Sequence, residues 1–109
     1  MSTLTVSLVQ TDIIWEQRNA NLLQLEQKIN AIAEPTELII MPEMFTTGFS
    51  MQPEGKADTM DGEAIQWMQK ISAQRKAIVT GSLMMSDEGK HVNRLIWMQP
   101  NGVYGKYDK

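Results

Sequence analysis

The sequence predicts an α/β fold, a mixed β-sheet with helices packed on it. Three observations carry that expectation. Leu22, Leu25, Ile29, Ile32 and Ala33 fall on one stripe at about 3.6 residues per turn, the mark of an amphipathic helix. Leu38-Ile39-Ile40-Met41 is an unbroken apolar run, as expected of a strand covered on both faces. The elements read in order as β-α-β-α-β-β-β, which pairs strands in parallel first and in antiparallel hairpins later. Both crossovers are expected to be right-handed.

The first strand is read over Leu4 to Val9, where apolar and short polar residues alternate and Val6 and Val9 are β-branched. Asn19 is the expected N-cap of the first helix and Pro35 its end. After the 38–41 run, Pro42 breaks the ladder. Residues 43–60 hold Gly48, Pro53 and Gly55 without any period and read as a long loop. Asp61 is the expected cap of a second helix with the stripe Ala64, Trp67, Met68 and Ile71. Ala77 to Met85 is the third strand, Ser86-Asp87-Glu88-Gly89 a hairpin turn, and His91 to Gln99 the antiparallel partner. Pro100-Asn101-Gly102 is a further turn. It leads to a fifth strand over Val103 to Tyr107, whose outer ladder groups are expected to invite association.

Hydrophobic residues at 42% and charged residues at 21% match ordinary soluble usage, so 109 residues make one domain or one piece of a larger one. The net charge of −3, with ten scattered Lys and Arg, argues against nucleic acid, which needs clustered cations. The start, Met1-Ser2-Thr3-Leu4-Thr5, lacks a basic and then apolar export signal, and no run approaches the ~20 residues of a membrane span. A cytoplasmic protein without membrane contact is the expectation. The chain has no cysteine, which excludes disulfides, thiolate metal sites and a cysteine nucleophile within these residues.

Chemistry concentrates at Met41-Pro42-Glu43-Met44-Phe45-Thr46-Thr47-Gly48-Phe49. An apolar strand here delivers an acid just past its C-terminal end, where open α/β sheets bind ligands. Pro42 holds Met41 extended and fixes its own φ, so the carboxylate is well placed. Flanking Met44, Phe45 and Phe49 are expected to desolvate Glu43 and raise its pKa toward that of a general base. Spacing alone favours a solvated loop glutamate. The second feature is Gly102-Val103-Tyr104-Gly105-Lys106-Tyr107-Asp108-Lys109, whose last lysine, arriving after a strand, could stabilise an oxyanion beside Glu43. By itself it reads as a surface lysine.

Taken together, these residues resemble the nitrilase superfamily of carbon-nitrogen hydrolases. Pro42-Glu43 with its following aromatic and glycine residues is similar to the family's first catalytic motif. Gly81-Ser82 and Asn93 are similar to its sheet core, and Tyr107-Asp108-Lys109 to the start of its Tyr-x-Lys-x-His-Leu motif. The resemblance runs from the opening strand and Gln10 to the last residue, so residues 1–109 are expected to be the N-terminal portion of a single hydrolase domain. It implies an α-β-β-α sandwich and a Glu-Lys-Cys triad, with Glu43 as general base and Lys109 as the oxyanion-stabilising cation. The cysteine and a second supporting glutamate lie further along in family members. The motif 42–49 is most similar to the ω-amidase branch, which hydrolyses the terminal amide of α-keto acid amides such as 2-oxoglutaramate or 2-oxosuccinamate. By that analogy Phe45 lines the substrate pocket. The resemblance further implies no cofactor, a small amide as partner and a homo-oligomer, commonly a dimer.

Other features carry less. His91, the single histidine, reads as a surface residue. Met41, Met68, Met84 and Met98 fit the core, and Trp15, Trp67 and Trp97 read as buried anchors. Gly48, Gly55 and Gly62 lack phosphate-loop spacing. Asp58, Asp61 and Glu63 read as a solvated helix start rather than a cation site. Two alternatives stay open. The 109 residues without a cysteine are a non-catalytic fragment or interaction module, with the end at Lys109 read as a cut, or the βαβ pattern belongs to a small flavodoxin-like binding domain.

Overall fold

Two parallel and two antiparallel strand pairs build the sheet of the computed structural model, which describes residues 2–51 and 54–109. Met1 of the N-terminal stretch that lacks an export signal, and Pro53 of the long loop, lie outside the described residues. The strands are β1 (Val6–Leu8), β2 (Leu38–Ile40), β3 (Ile78–Asp87), β4 (Lys90–Met98) and β5 (Tyr104–Asp108), neighbours in that order. The helices are α1 (Arg18–Asn30), between β1 and β2, and α2 (Glu63–Arg75), between β2 and β3. The α/β class and the mixed sheet are as the sequence predicts.

The helix stripes bury as their spacing dictates. Leu25, Ile29, Ala64, Met68 and Ile71 are fully buried, Leu22 and Trp67 nearly so, against Ile39, Val79, Leu83, Ile96 and Met98 of the sheet. Ala33 is exposed because α1 stops at Asn30. The caps differ from the sequence reading. Gln17 precedes α1 and Gly62 precedes α2, neither with a side-chain cap. Asn19 falls inside the first turn, while Asp61 stays outside the helix and accepts a hydrogen bond from the Thr59 hydroxyl. The β3–β4 connection closes on Glu88 and Gly89, with φ of 50° and 76°. Left-handed backbone at both central positions is the twist-matched hairpin turn.

Coverage of the sheet is uneven. Ile39 is fully buried, but its neighbours Leu38 and Ile40 are only partly covered, so β2 is not enclosed on both faces. Leu8, Ile40, Thr80 and Trp97 share register, and Leu8 and Trp97 are exposed. Trp97 therefore sits on the open face, and Trp15 on an exposed loop; of the three tryptophans only Trp67 is a buried anchor. Met41, Met68, Met84 and Met98 are all buried.

Gly81 of β3 is where the long loop presses closest on the sheet. A Cβ there would meet the Phe45 ring at 2.9 Å and Met41 Cβ at 3.2 Å. Both are anchored core groups with no room to withdraw. Gly81→Ala is expected to cost about 1–3 kcal/mol of stability through overpacking, read as a lower urea midpoint at unchanged slope.

Candidate active site

Glu43 owes its position to how the chain leaves β2. Pairing with β3 continues one residue past the strand, where the Met41 N–H donates to the Thr80 carbonyl at 2.8 Å. Pro42 then ends the ladder, because proline has no N–H to give. Residues 43–47 turn back over β3. Met44 takes a left-handed φ of 54°, which a side chain resists unless its surroundings hold it there. Buried Ser82 supplies the hold: its Oγ accepts the Met44 N–H at 3.0 Å, and its carbonyl accepts the Phe45 N–H at 3.1 Å. Beneath the turn the Phe45 ring fills the core, 6.1 Å centroid to centroid from Trp67.

Lys109 arrives from the other end of the chain. β5 pairs with β4 so that Asp108 faces Arg94, and the Lys109 N–H donates to the Asn93 carbonyl at 2.8 Å. The lysine Nζ donates to Glu43 Oε2 at 2.9 Å. The Asn93 side-chain amide donates to the same oxygen at 3.0 Å. One residue of β4 thus holds the lysine by its backbone and the carboxylate by its side chain. Both charged side chains remain open to solvent, at 40% and 44% exposure.

That environment reverses the expected pKa shift. Hydrogen bonds from Lys109 and then Asn93 hold the Glu43 carboxyl below the ordinary glutamate value, outweighing the slight desolvation. The apolar neighbours meant to desolvate it point elsewhere: Met44 and Phe45 into the core, Phe49 into solvent. Glu43 is accordingly an ionised acceptor at neutral pH.

Asp58 is a buried carboxylate rather than part of a solvated helix start. It ion-pairs with Arg18, accepts the Thr46 hydroxyl at 2.8 Å, and bridges to β3 through its N–H to the Met84 carbonyl at 2.8 Å. Burial pushes its pKa up despite Thr46 and Arg18. Asn21 of α1 adds a second tie, donating to the carbonyls of Ile14 and Thr46, both at 2.8 Å. The loop that carries Glu43 is therefore fastened to α1 at Thr46 and to β3 at Ser82.

Of the residues singled out in the sequence, the structure brings Glu43 and Lys109 together across 66 positions. It does not bring Phe45 to them, since that side chain is fully buried and faces Trp67 and Gly81. His91 is exposed. Sequence reasoning gave Ser82 and Asn93 only a place in the sheet and missed the Arg18–Asp58 pair. Ser82 is a buried polar side chain inside an apolar strand and so demands a partner, which was the available signal for it. Among the described residues no group of three or more His, Cys, Asp or Glu could hold a metal ion, and no helix is long and apolar enough to cross a membrane.

The family profile described as carbon-nitrogen hydrolase matches residues 5–109. Over all 109 residues the chain is 35% identical to an omega-amidase, YafV, of Yersinia enterocolitica, and 31% identical to YafV of Escherichia coli K12. It spans 42% of the length of each of these relatives. Among solved structures it superposes, with a TM-score of 0.94 and 36% identity, on XC1258 of Xanthomonas campestris, a CN-hydrolase superfamily protein with an arsenic adduct in its active site. The superposition covers 100% of this chain and 41% of XC1258.

Two outcomes are expected. Lys109→Met returns the Glu43 carboxyl toward its ordinary pKa, observed by carbon-detected NMR titration. Because the folded-state pKa is depressed, the pair's contribution to stability is present above the ordinary glutamate value and lost as pH falls through the lowered one. Separately, Asp58→Ala leaves Arg18 and Thr46 without their acceptor and should cost about 2–4 kcal/mol in urea unfolding.

Proposed function

The chain belongs to the carbon-nitrogen hydrolase family, and on that premise we propose that it supplies the base and the cation of an amide-hydrolysing site. One observation carries the proposal: Glu43 and Lys109, 66 positions apart in the sequence, meet at 2.9 Å beside the end of β2. A charge pair assembled at such cost in chain order, yet left accessible, is suited to reacting groups more than to support. The nucleophile is a cysteine thiol from outside these 109 residues, which contain none. The whole enzyme is a longer polypeptide than this chain, in keeping with the 42% span of its relatives.

In this reading the ionised Glu43 takes the thiol proton as sulfur attacks the amide carbon. The carbonyl oxygen becomes an oxyanion, and Lys109 donates to it. As the oxyanion draws on Lys109, Glu43 loses its strongest partner and becomes a better base. The tetrahedral species collapses with cleavage of the C–N bond, Glu43 returns its proton to the departing nitrogen, and ammonia leaves a thioester. Water then attacks the thioester and gives a proton to Glu43; the C–S bond breaks, and Glu43 hands that proton to the departing thiolate, releasing the carboxylic acid and restoring the thiol. Asn93 keeps the carboxylate oriented throughout by its hydrogen bond to Oε2.

The substrate class is the terminal amide of small carboxylic or α-keto acids, supported by the likeness to the two omega-amidases. The buried Phe45 shapes that pocket only from beneath, through the backbone of the turn it anchors. The other reading, a non-catalytic interaction module, is favoured by the missing cysteine and applies to the 109 residues acting alone. The test is hydrolysis of 2-oxoglutaramate by the polypeptide that joins this chain to its nucleophile. Glu43→Gln should lower kcat/KM by about 10²–10⁴-fold or more, because the carboxylate serves in several proton transfers. Hydrolysis at the wild-type rate would remove Glu43 from the mechanism.

A further inference from the structure

Lys109 reaches Glu43 from a strand with little of its own to hold it. All five residues of β5 are exposed, so no buried side chain fixes its register. The turn into β5 is tied where Gln99 donates to the Val103 carbonyl at 2.9 Å, but the lysine lies at the opposite end. Exposed strand ends fray, and a slip of one residue would turn Lys109 to the other face.

The far end is clamped by Arg94 of β4. This guanidinium, only 4% exposed, lies opposite Asp108 in the register. Its Nε donates to Asp108 Oδ1 at 2.6 Å and its Nη2 to Oδ2 at 3.0 Å, a two-pronged grip that fixes angle as well as distance. Nη2 also reaches Asp87 Oδ2 at 3.0 Å, which ties the clamp to the β3 end of the hairpin. The same grip holds the Asp108 carboxyl below its ordinary pKa. We propose that Arg94 is a positioning residue for Lys109: by gripping Asp108 it locks the end of β5 in register and keeps the neighbouring ammonium on Glu43. The proposal rests on reading Lys109 as a working part of the site, but the geometric claim is separate from the activity claim.

The experiment follows the Glu43 carboxyl by carbon-detected NMR titration in the full-length protein, after amide spectra show that each variant is folded. Lys109→Met sets the scale. Asp108→Ala, at an exposed position, and Arg94→Met should each raise the Glu43 midpoint by at least half of the rise that Lys109→Met produces. Asp108→Glu, which restores the carboxylate, should return it most of the way. Asp87→Ala, which leaves the two-pronged grip in place, should move it least. A folded Asp108→Ala variant with a wild-type Glu43 midpoint would overturn the proposal. If Arg94→Met fails to fold, the Asp108 variants decide. The midpoint does not depend on turnover, so this result and the outcome for Glu43→Gln fail or stand independently.

Discussion

Everything at the candidate site depends on the seat that Ser82 provides for the turn after β2. A left-handed Met44 is unfavourable by itself, and the turn persists because a buried hydroxyl and the adjoining carbonyl capture two successive N–H groups. Ser82 in turn is fixed in β3, the longest strand, by pairing with Leu95. Gly81 beside it leaves the space that the Phe45 ring occupies. Phe45 thus serves the site from below, as the weight that keeps the turn down on the sheet, while Glu43 at the turn's start projects into solvent.

The sheet topology makes the meeting of Glu43 and Lys109 possible. β2 runs parallel to β3, and the hairpin and β5 then reverse twice, so β5 runs parallel to β2 and both deliver their C-terminal ends to one edge of the sheet. Asn93 sits between them on β4 and bonds to each. Hydrogen bonds within a sheet fix such distances more tightly than side-chain packing on a loop does, which suits groups whose separation sets their chemistry.

Two carboxylates in one segment show how environment assigns roles. Glu43 is exposed, and its lysine and asparagine donors favour the charged form. Asp58, fifteen positions on, is buried, and desolvation outweighs its donors. The first is free to exchange partners with a ligand. The second is committed to Arg18 and Thr46, and it holds the loop against α1 so that the first stays in place.

The sequence alone determined the class and order of the elements, because the 3.6-residue stripes of α1 and α2 are local patterns that burial enforces, and the short apolar run of β2 marks a strand even though only Ile39 of it is fully covered. It determined the family, because several short motifs in fixed order carry that information, and it marked Glu43 and Lys109 on those grounds. The caps were not legible: Asn19 and Asp61 are good cap residues that lost their places to helix starts set by tertiary ties such as Arg18 to Asp58. Nor was the fate of the aromatic residues, since apolarity sends Phe45 and Trp97 alike inward, and only the packing of α2 on one face of the sheet decided that Phe45 is covered and Trp97 is not. The direction of the Glu43 pKa shift belonged wholly to the tertiary structure. It is set by donors 50 and 66 residues away, and no local pattern reports which distant groups a fold brings within 3.0 Å.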